Sequence, residues 1–403
     1  MTAQLMDCAY RGDINQLETL INQQAVDVMA IDEQGLTALF YAVLGHRQEV
    51  GAMLLEHGGR DLALATAGNG VACLYLACQN GNLEMARLLA DVGGHDLVHR
   101  TTLDGCSCLY IASQQGHVDI AEDLMTRSPE LLLLIGPNGF SCLHIACQHG
   151  NLAVAQTLTA AGGLGLLLQL ARTGRTCLHV ACEYGHEDIV RMLIEAGGDA
   201  LLHRRSDDGS SALRCACKQG HGGVVRAVLE AGGDALLHVA GDEGRTCMWE
   251  ACTRGHADVV AALLDGGGEA TALAEGEDGS SCLLAACKAG HVGVVRALVG
   301  VLGAGVVHRT PAEAGACLVA ACDGGHADIV EALLGGAGGR RGRGCSPSIT
   351  FTPLPLMPVL ARRTDQKQPP HARSDSVGTN KSLGRGLAIS VNCLGQRSLL
   401  CRD

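Results

Sequence analysis

A pair of glycines recurs through this chain at a fixed interval, and a chain built on such a period grows by stacking units rather than by enlarging one core. The first glycine stands at Gly35, Gly70, Gly105, Gly139, Gly174, Gly209, Gly244 and Gly279. The interval is 35 residues, with a single 34 between Gly105 and Gly139, and Ala314 takes the ninth place. The second glycine stands at Gly45, Gly81, Gly116, Gly150, Gly185, Gly220, Gly255, Gly290 and Gly325. It follows the first by 11 residues, except in the first unit, where Gly35 to Gly45 is 10. That unit is expected to pack irregularly. A length of 403 residues would suggest two or three compact domains, but a repeat array escapes that limit.

One unit reads as helix, turn, helix and loop. Thr176, like Ser141, Ser211, Thr246 and Ser281 in its neighbours, is an N-cap residue whose hydroxyl can accept an orphan amide of the first turn. Leu178 and Ala181 lie three apart on one helical face. Gly185 ends the helix as a cap without Cβ. In the next segment Ile189, Val190, Leu193 and Ile194 form the stripe of an amphipathic helix. Gly197-Gly198 terminates it, Asp199 caps a short extra turn over Ala200–His203, and the polar stretch Ser206–Gly209 closes the unit.

The pattern T-C-L-H-x-A-C-x-x-G-H, followed by an apolar helix and A-G-G, resembles the ankyrin repeat. The resemblance spans roughly Met1 to Gly339. It implies an all-α, ankyrin-type helix-turn-helix solenoid with short β-turn hairpin loops. Three departures stand out. The usual Pro is Cys at 73, 108, 142, 177, 247, 282 and 317. The usual second Ala is Cys at 78, 147, 182, 217, 252, 287 and 322. The unit is also two residues longer than the usual ankyrin repeat.

The expected organisation has three parts. Residues 1–31 read as an opening half-repeat that serves as an N-terminal cap. Residues 32–339 hold nine ankyrin-like repeats of about 35 residues. The last of these carries Gly315, Gly324, Gly325 and a glycine cluster over 335–339, so it is expected to fray. Residues 340–403 match no repeat, contain six of the nine prolines, and read as a disordered, solvated basic tail.

Charge divides at the same boundary. Residues 1–339 carry 19 Lys+Arg against 39 Asp+Glu, a net −20, and residues 340–403 carry 11 against 3, a net +8. An acidic array repels phosphates, so no nucleic-acid partner is expected. Aromatics make up only 2 % of the chain, which also argues against base stacking. The N-terminal stretch has no basic segment followed by an apolar run, and no apolar run is long enough to span a bilayer. A cytoplasmic or nuclear location with free thiols is therefore expected.

No phosphate-binding loop, dinucleotide fingerprint, zinc-protease motif or nucleophile elbow occurs in the sequence. Neither catalysis nor a cofactor is expected. The 20 cysteines are the most tempting chemistry. Within one helix, Cys177 and Cys182 are separated by a rise of about 7.5 Å and a rotation of about 140°, so their sulfurs cannot meet. Matching cysteines of adjacent units would stand about 8–10 Å apart, beyond the roughly 7 Å Cα separation a disulfide bridges. The cysteines therefore read as small buried hydrophobes, with a reactive thiol at the helix N-terminus as the sharper alternative. The ankyrin resemblance implies that the histidines after the repeat glycine (His46, His117, His186, His221, His256, His291 and His326) are structural turn bridges. His99, His203, His238 and His308 read as packing positions, and no metal site is expected.

What remains is surface. The resemblance implies a concave groove, built from the hairpin tips and the ends of the first helices, that grips partner proteins. Its residues would be Gln79, Gln114, Gln148, Glu183, Tyr184, Lys218 and Arg254, with tips such as Arg175 and Asp208. Tyr75, Tyr110, Arg214 and Trp249 stand where the motif has His, and exposed Tyr, Trp and Arg are favoured interface anchors. The expected function is a non-catalytic protein-protein interaction scaffold or adaptor, acting as a monomeric array. The alternatives are a thiol-rich redox- or metal-responsive repeat protein, and a targeting or scaffold subunit of a larger complex.

Overall fold

The glycine period sets the secondary structure. The computed structural model describes residues 2–22, 27–237, 246–273, 275–276, 279–302 and 311–335. Helices α1 (Thr2–Arg11) and α2 (Ile14–Asn22) open the chain, so the expected half-repeat holds both helices of a unit. Nine further pairs follow. They are α3 (Ala38–Leu44) with α4 (Gln48–Ala63), α5 (Cys73–Gln79) with α6 (Leu83–Val98), and α7 (Cys108–Gln115) with α8 (Val118–Arg127). Next come α9 (Cys142–His149) with α10 (Leu152–Leu167), α11 (Cys177–Tyr184) with α12 (Glu187–Leu202), and α13 (Ala212–Gln219) with α14 (Gly222–Gly232). The last are α15 (Cys247–Arg254) with α16 (Ala257–Ala272), α17 (Cys282–Ala289) with α18 (Val292–Leu302), and α19 (Pro311–Asp323) with α20 (Ala327–Gly335). The last unit thus forms both helices over its described residues. Residues 340–403, expected as a disordered tail, lie outside the described residues.

The caps explain why each short helix starts and stops where it does. Ser107, Ser211, Thr246 and Ser281 accept the backbone N–H of the residue three ahead. Ser141 and Thr176 go further, because His144 and His179 return a bond to the cap residue. Gly116, Gly150, Gly185, Gly220, Gly255 and Gly290 close their helices in the left-handed region. The short first unit behaves differently. Gly45 stays right-handed at φ −80°, and His46 takes the positive φ of 54° instead. One deleted residue has moved the left-handed position onto a side-chain-bearing residue.

The second helix carries its own break. At Gly198 the backbone swings to φ 52°, ψ −148°, a region essentially reserved for glycine. A Cβ on its neighbour Gly197 would stand 2.8 Å from Cβ of Leu201. The Gly-Gly pair thus folds the extra turn back against the helix, and the residues that lengthen the unit are used there. The third pair lacks this device. Helix α8 ends at Ser128 and continues as a 3₁₀ turn over Pro129–Leu133. This is where the interval drops to 34.

First helices pack on first helices and second on second, in sequence order. The same leucine anchors successive first helices: Leu39, Leu74, Leu109, Leu143, Leu178 and Leu213 are all buried. Each such leucine contributes roughly 1.5–3 kcal/mol of burial. Isolated antiparallel bridges, such as Thr66 with Ala72 and Arg205 with Ser211, close hairpin loops between units. Met1–Gly339 form one compact unit.

Candidate protein-binding face

The turns are tied together by the histidine column. His117, His186, His221, His256 and His291 each place Nε2 3.0–3.2 Å from a backbone carbonyl of the preceding unit, those of Gln79, Gln148, Glu183, Lys218 and Thr253. Asn151 does the same with its amide, donating to the carbonyls of Ser113 and Gln114 at 2.8 Å. These bonds fix the far ends of the first helices, where the expected groove residues lie.

The motif histidines inside the array are fully buried. Nδ1 of His144 accepts from the backbone N–H of Ser141 at 3.4 Å and lies 2.8 Å from the Ser141 hydroxyl, while Nε2 faces the carbonyl of Arg175 at 3.1 Å. His179 repeats this with Thr176 and with the carbonyl of Ser210 at 3.0 Å. One nitrogen accepts and the other donates, so the site holds a neutral imidazole. Burial lowers both pKa values to about 4.

Tyr75 and Tyr110 occupy this same position, and the structure corrects their reading as exposed anchors. They are 2 % and 6 % exposed. The position lies between successive units, so a ring placed there packs inward. Gln79, Gln114, Gln148, Glu183, Arg214 and Trp249 are half-buried, and Tyr184, Lys218 and Arg254 are exposed. Gln148 donates to the Tyr184 hydroxyl at 2.9 Å, which joins two adjacent units on this face. Arg254 is paired with Glu250 along its own helix at 3.0 Å.

Around Arg214 the face opens into a pocket of about 410 Å³. Arg172, Arg175, Glu183, Asp208, Arg214 and Lys218 are among its lining residues. Arg175 pairs with Glu183 at 2.7 Å and donates to the Cys215 sulfur at 3.4 Å. Burial works against the Arg175 charge, but Cys215 and Glu183 outweigh it and raise its pKa. Asp208 loses some solvation, yet hydrogen bonds from Ser206 and Ser210 bring its pKa down to about 2. Arg214 donates to the Ser210 hydroxyl at 3.1 Å, and its Nε is buried without a partner. Arg172 lies three residues before the Arg175 tip, on the loop, at a position that no motif marks.

The described thiols are, apart from Cys322, buried as expected, but they meet across units in a way that was not expected. Cys78 is hydrogen-bonded to Cys108, and the same pairing joins Cys147 to Cys177, Cys217 to Cys247, Cys252 to Cys282 and Cys287 to Cys317. In each pair the second cysteine of one unit meets the first cysteine of the next. Burial pushes the Cys142 thiol, at a helix N-terminus, up to about 12, which overrides the dipole. The described cysteines are buried apart from Cys322. In native protein treated with a thiol-reactive dye at neutral pH, Cys322 is therefore expected to label ahead of every other described cysteine. Mass mapping of the labelled peptides checks this, and labelling of Cys142 at the rate seen in denaturant would contradict it.

These features define a class: a helical repeat array with a largely apolar interior and a polar, aromatic-bearing face. The family model for ankyrin repeats (3 copies) matches residues 5–101, 54–135, 109–202, 143–237, 200–272 and 232–310. The chain belongs to the ankyrin repeat family. Among solved structures, it is similar to the ankyrin repeat domain of Bcl-3, described as a unique member of the IkappaB protein family. That match has 21 % identity and a TM-score of 0.46, and covers 52 % of this chain and 91 % of the other. No curated protein matches the chain. Among the described residues, no helix is long and apolar enough to cross a membrane.

Proposed function

We propose that this protein is a non-catalytic scaffold or adaptor that grips partner proteins on the face running from Gln148 and Tyr184 through the Arg214 pocket to Trp249 and Arg254. Ankyrin repeats are generally protein-protein interaction modules, and that supports the coarse reading. The observation that carries the finer one is the pocket. It places Arg172, Arg214 and Lys218 beside the Arg175–Glu183 pair. The exposed ring of Tyr184 stands on the same helix as Glu183. Fixed cations beside an exposed aromatic ring suit a partner segment that offers a carboxylate and an apolar side chain. A cytoplasmic or nuclear location and a monomeric state complete the proposal.

The test is a capture experiment with quantified recovery. The wild-type chain and the triple variant Tyr184→Ala, Arg214→Ala, Trp249→Ala are compared for bound proteins, with circular dichroism showing that both are folded. Each anchor is expected to cost the complex about 1–2 kcal/mol or more, so partners held on this face fall at least about tenfold in recovery. Undiminished recovery of the same partners by the folded variant would show that the face is elsewhere.

A further inference from the structure

One cluster of ligating side chains lies away from the proposed binding face, at the far end of the second helices. His95 and His99 stand one helical turn apart just after the break at Gly94, and His99 is the C-cap of α6. Their rings stack with centroids 3.9 Å apart and planes inclined by 16°. Glu130, in the 3₁₀ turn of the next unit, brings a carboxylate to the same place. One ligand atom from each of the three residues lies within 4.8 Å of the other two.

Two features of the chain create this meeting. The first is the missing residue of the third unit, which replaces the Gly-Gly break by Ser128-Pro129-Glu130. The second is His at position 95, where other units carry Arg60, Leu164, Asp199 or Asp234. In the sequence a histidine equivalent to His99 recurs at His203 and His238, but Asp199 and Asp234 stand where His95 would be.

We propose that His95, His99 and Glu130 form a binding site for a divalent cation of the zinc class, bridging the second and third units. Two imidazoles and one carboxylate are a donor set such ions accept, with a fourth position left to water. On one tetrahedral zinc the donor atoms stand about 3.3 Å apart. His95 and Glu130 are exposed and can rotate to close the remaining distance. Ser128 is buried, and its hydroxyl lies 2.6 Å from Nε2 of His99. With the Ser128 hydroxyl accepting from Nε2–H, Nδ1 of His99 keeps its lone pair for the ion.

The nearby carboxylates are otherwise engaged. Asp96 is paired with Arg60, and Asp91 with Arg127 at 2.6 Å. Glu130 has no ion pair among the described residues, so binding does not have to break one. The net charge of −20 over residues 1–339 adds a long-range attraction for cations.

Calorimetric titration of the full chain with zinc chloride at neutral pH tests the proposal. All forms carry the same thiols, so a difference between wild type and variants reports this site alone. The wild type is expected to bind one ion that His95→Ala and Glu130→Gln bind about tenfold or more weakly. Glu130→His, which exchanges one ligand type for another, is expected to retain it. Circular dichroism shows whether each variant is folded; His95 and Glu130 are exposed, so their removal leaves the core intact. Equal affinity in wild type and folded His95→Ala, or no zinc uptake by the wild type, overturns the proposal.

Discussion

Acidification from pH 7 to pH 4 is expected to strip the central units of several kcal/mol of stability, most of it before the ordinary carboxylates titrate. His144 and His179 are held neutral in the array, with pKa values of about 4, against about 6.5 for a solvated imidazole. Burial is the main cause. The folded-state pKa is depressed, so the unfolded chain binds the proton first. Stability is full above about 6.5, falls as the pH drops, and levels off below about 4. Each histidine accounts for about 3 kcal/mol over that window. Asp208, held down at about 2 by Ser206 and Ser210, begins to matter as the pH falls through the ordinary carboxylate value of about 3.9. The two histidines therefore dominate the window between 4 and 6.5, and His149, also lowered by burial, acts in the same direction. Urea unfolding at a series of pH values measures the slope. The double variant His144→Asn, His179→Asn keeps an acceptor for the cap but has no proton to gain. It should be less stable at pH 7 and nearly flat down to pH 4. A wild-type midpoint that is unchanged over this range would refute the assignment.

These histidines show which parts of the molecule the sequence makes legible. Period, caps and breaks are local, and a few adjacent residues fix them. Thr176 caps, Gly185 stops the helix, and Gly198 breaks the next one, each for a reason contained in its own backbone angles. The irregular first unit was readable from one missing residue between Gly35 and Gly45, and the structure places the strain at His46. Contacts that cross from one unit to the next were not readable in the same way. Tyr75 and Tyr110 look like anchors until the adjacent unit covers them. Comparing equivalent cysteines missed the pairing of Cys147 with Cys177, because the contact joins different positions of neighbouring units. The pocket beside Arg214 likewise combines a loop, a hairpin tip and two first helices. The zinc-class cluster needed both a second histidine and a shortened unit.

The same contrast between local units and the contacts that join them governs how the array should fail. Leu178→Ala is expected to cost about 2–5 kcal/mol and to split unfolding into separate steps. Leu178 is fully buried on α11, which packs against α9 on one side and α13 on the other. In a stacked array, stability is a sum of unit terms and nearest-neighbour interface terms. A cavity at Leu178 weakens one unit and both of its interfaces. The flanking units keep their own contacts, so the chain can open at the centre while its two halves stay folded. Leu333 is also buried, but it sits on α20, whose main neighbours are α18 and α19. Leu333→Ala should therefore loosen only the last unit and leave the main transition nearly unchanged. Hydrogen exchange along the chain tells the two apart. In Leu178→Ala protection should fall first in α9, α11 and α13, and in Leu333→Ala only in α19 and α20. A uniform loss of protection along the whole chain in both variants would mean that the units are too strongly coupled for this additive description.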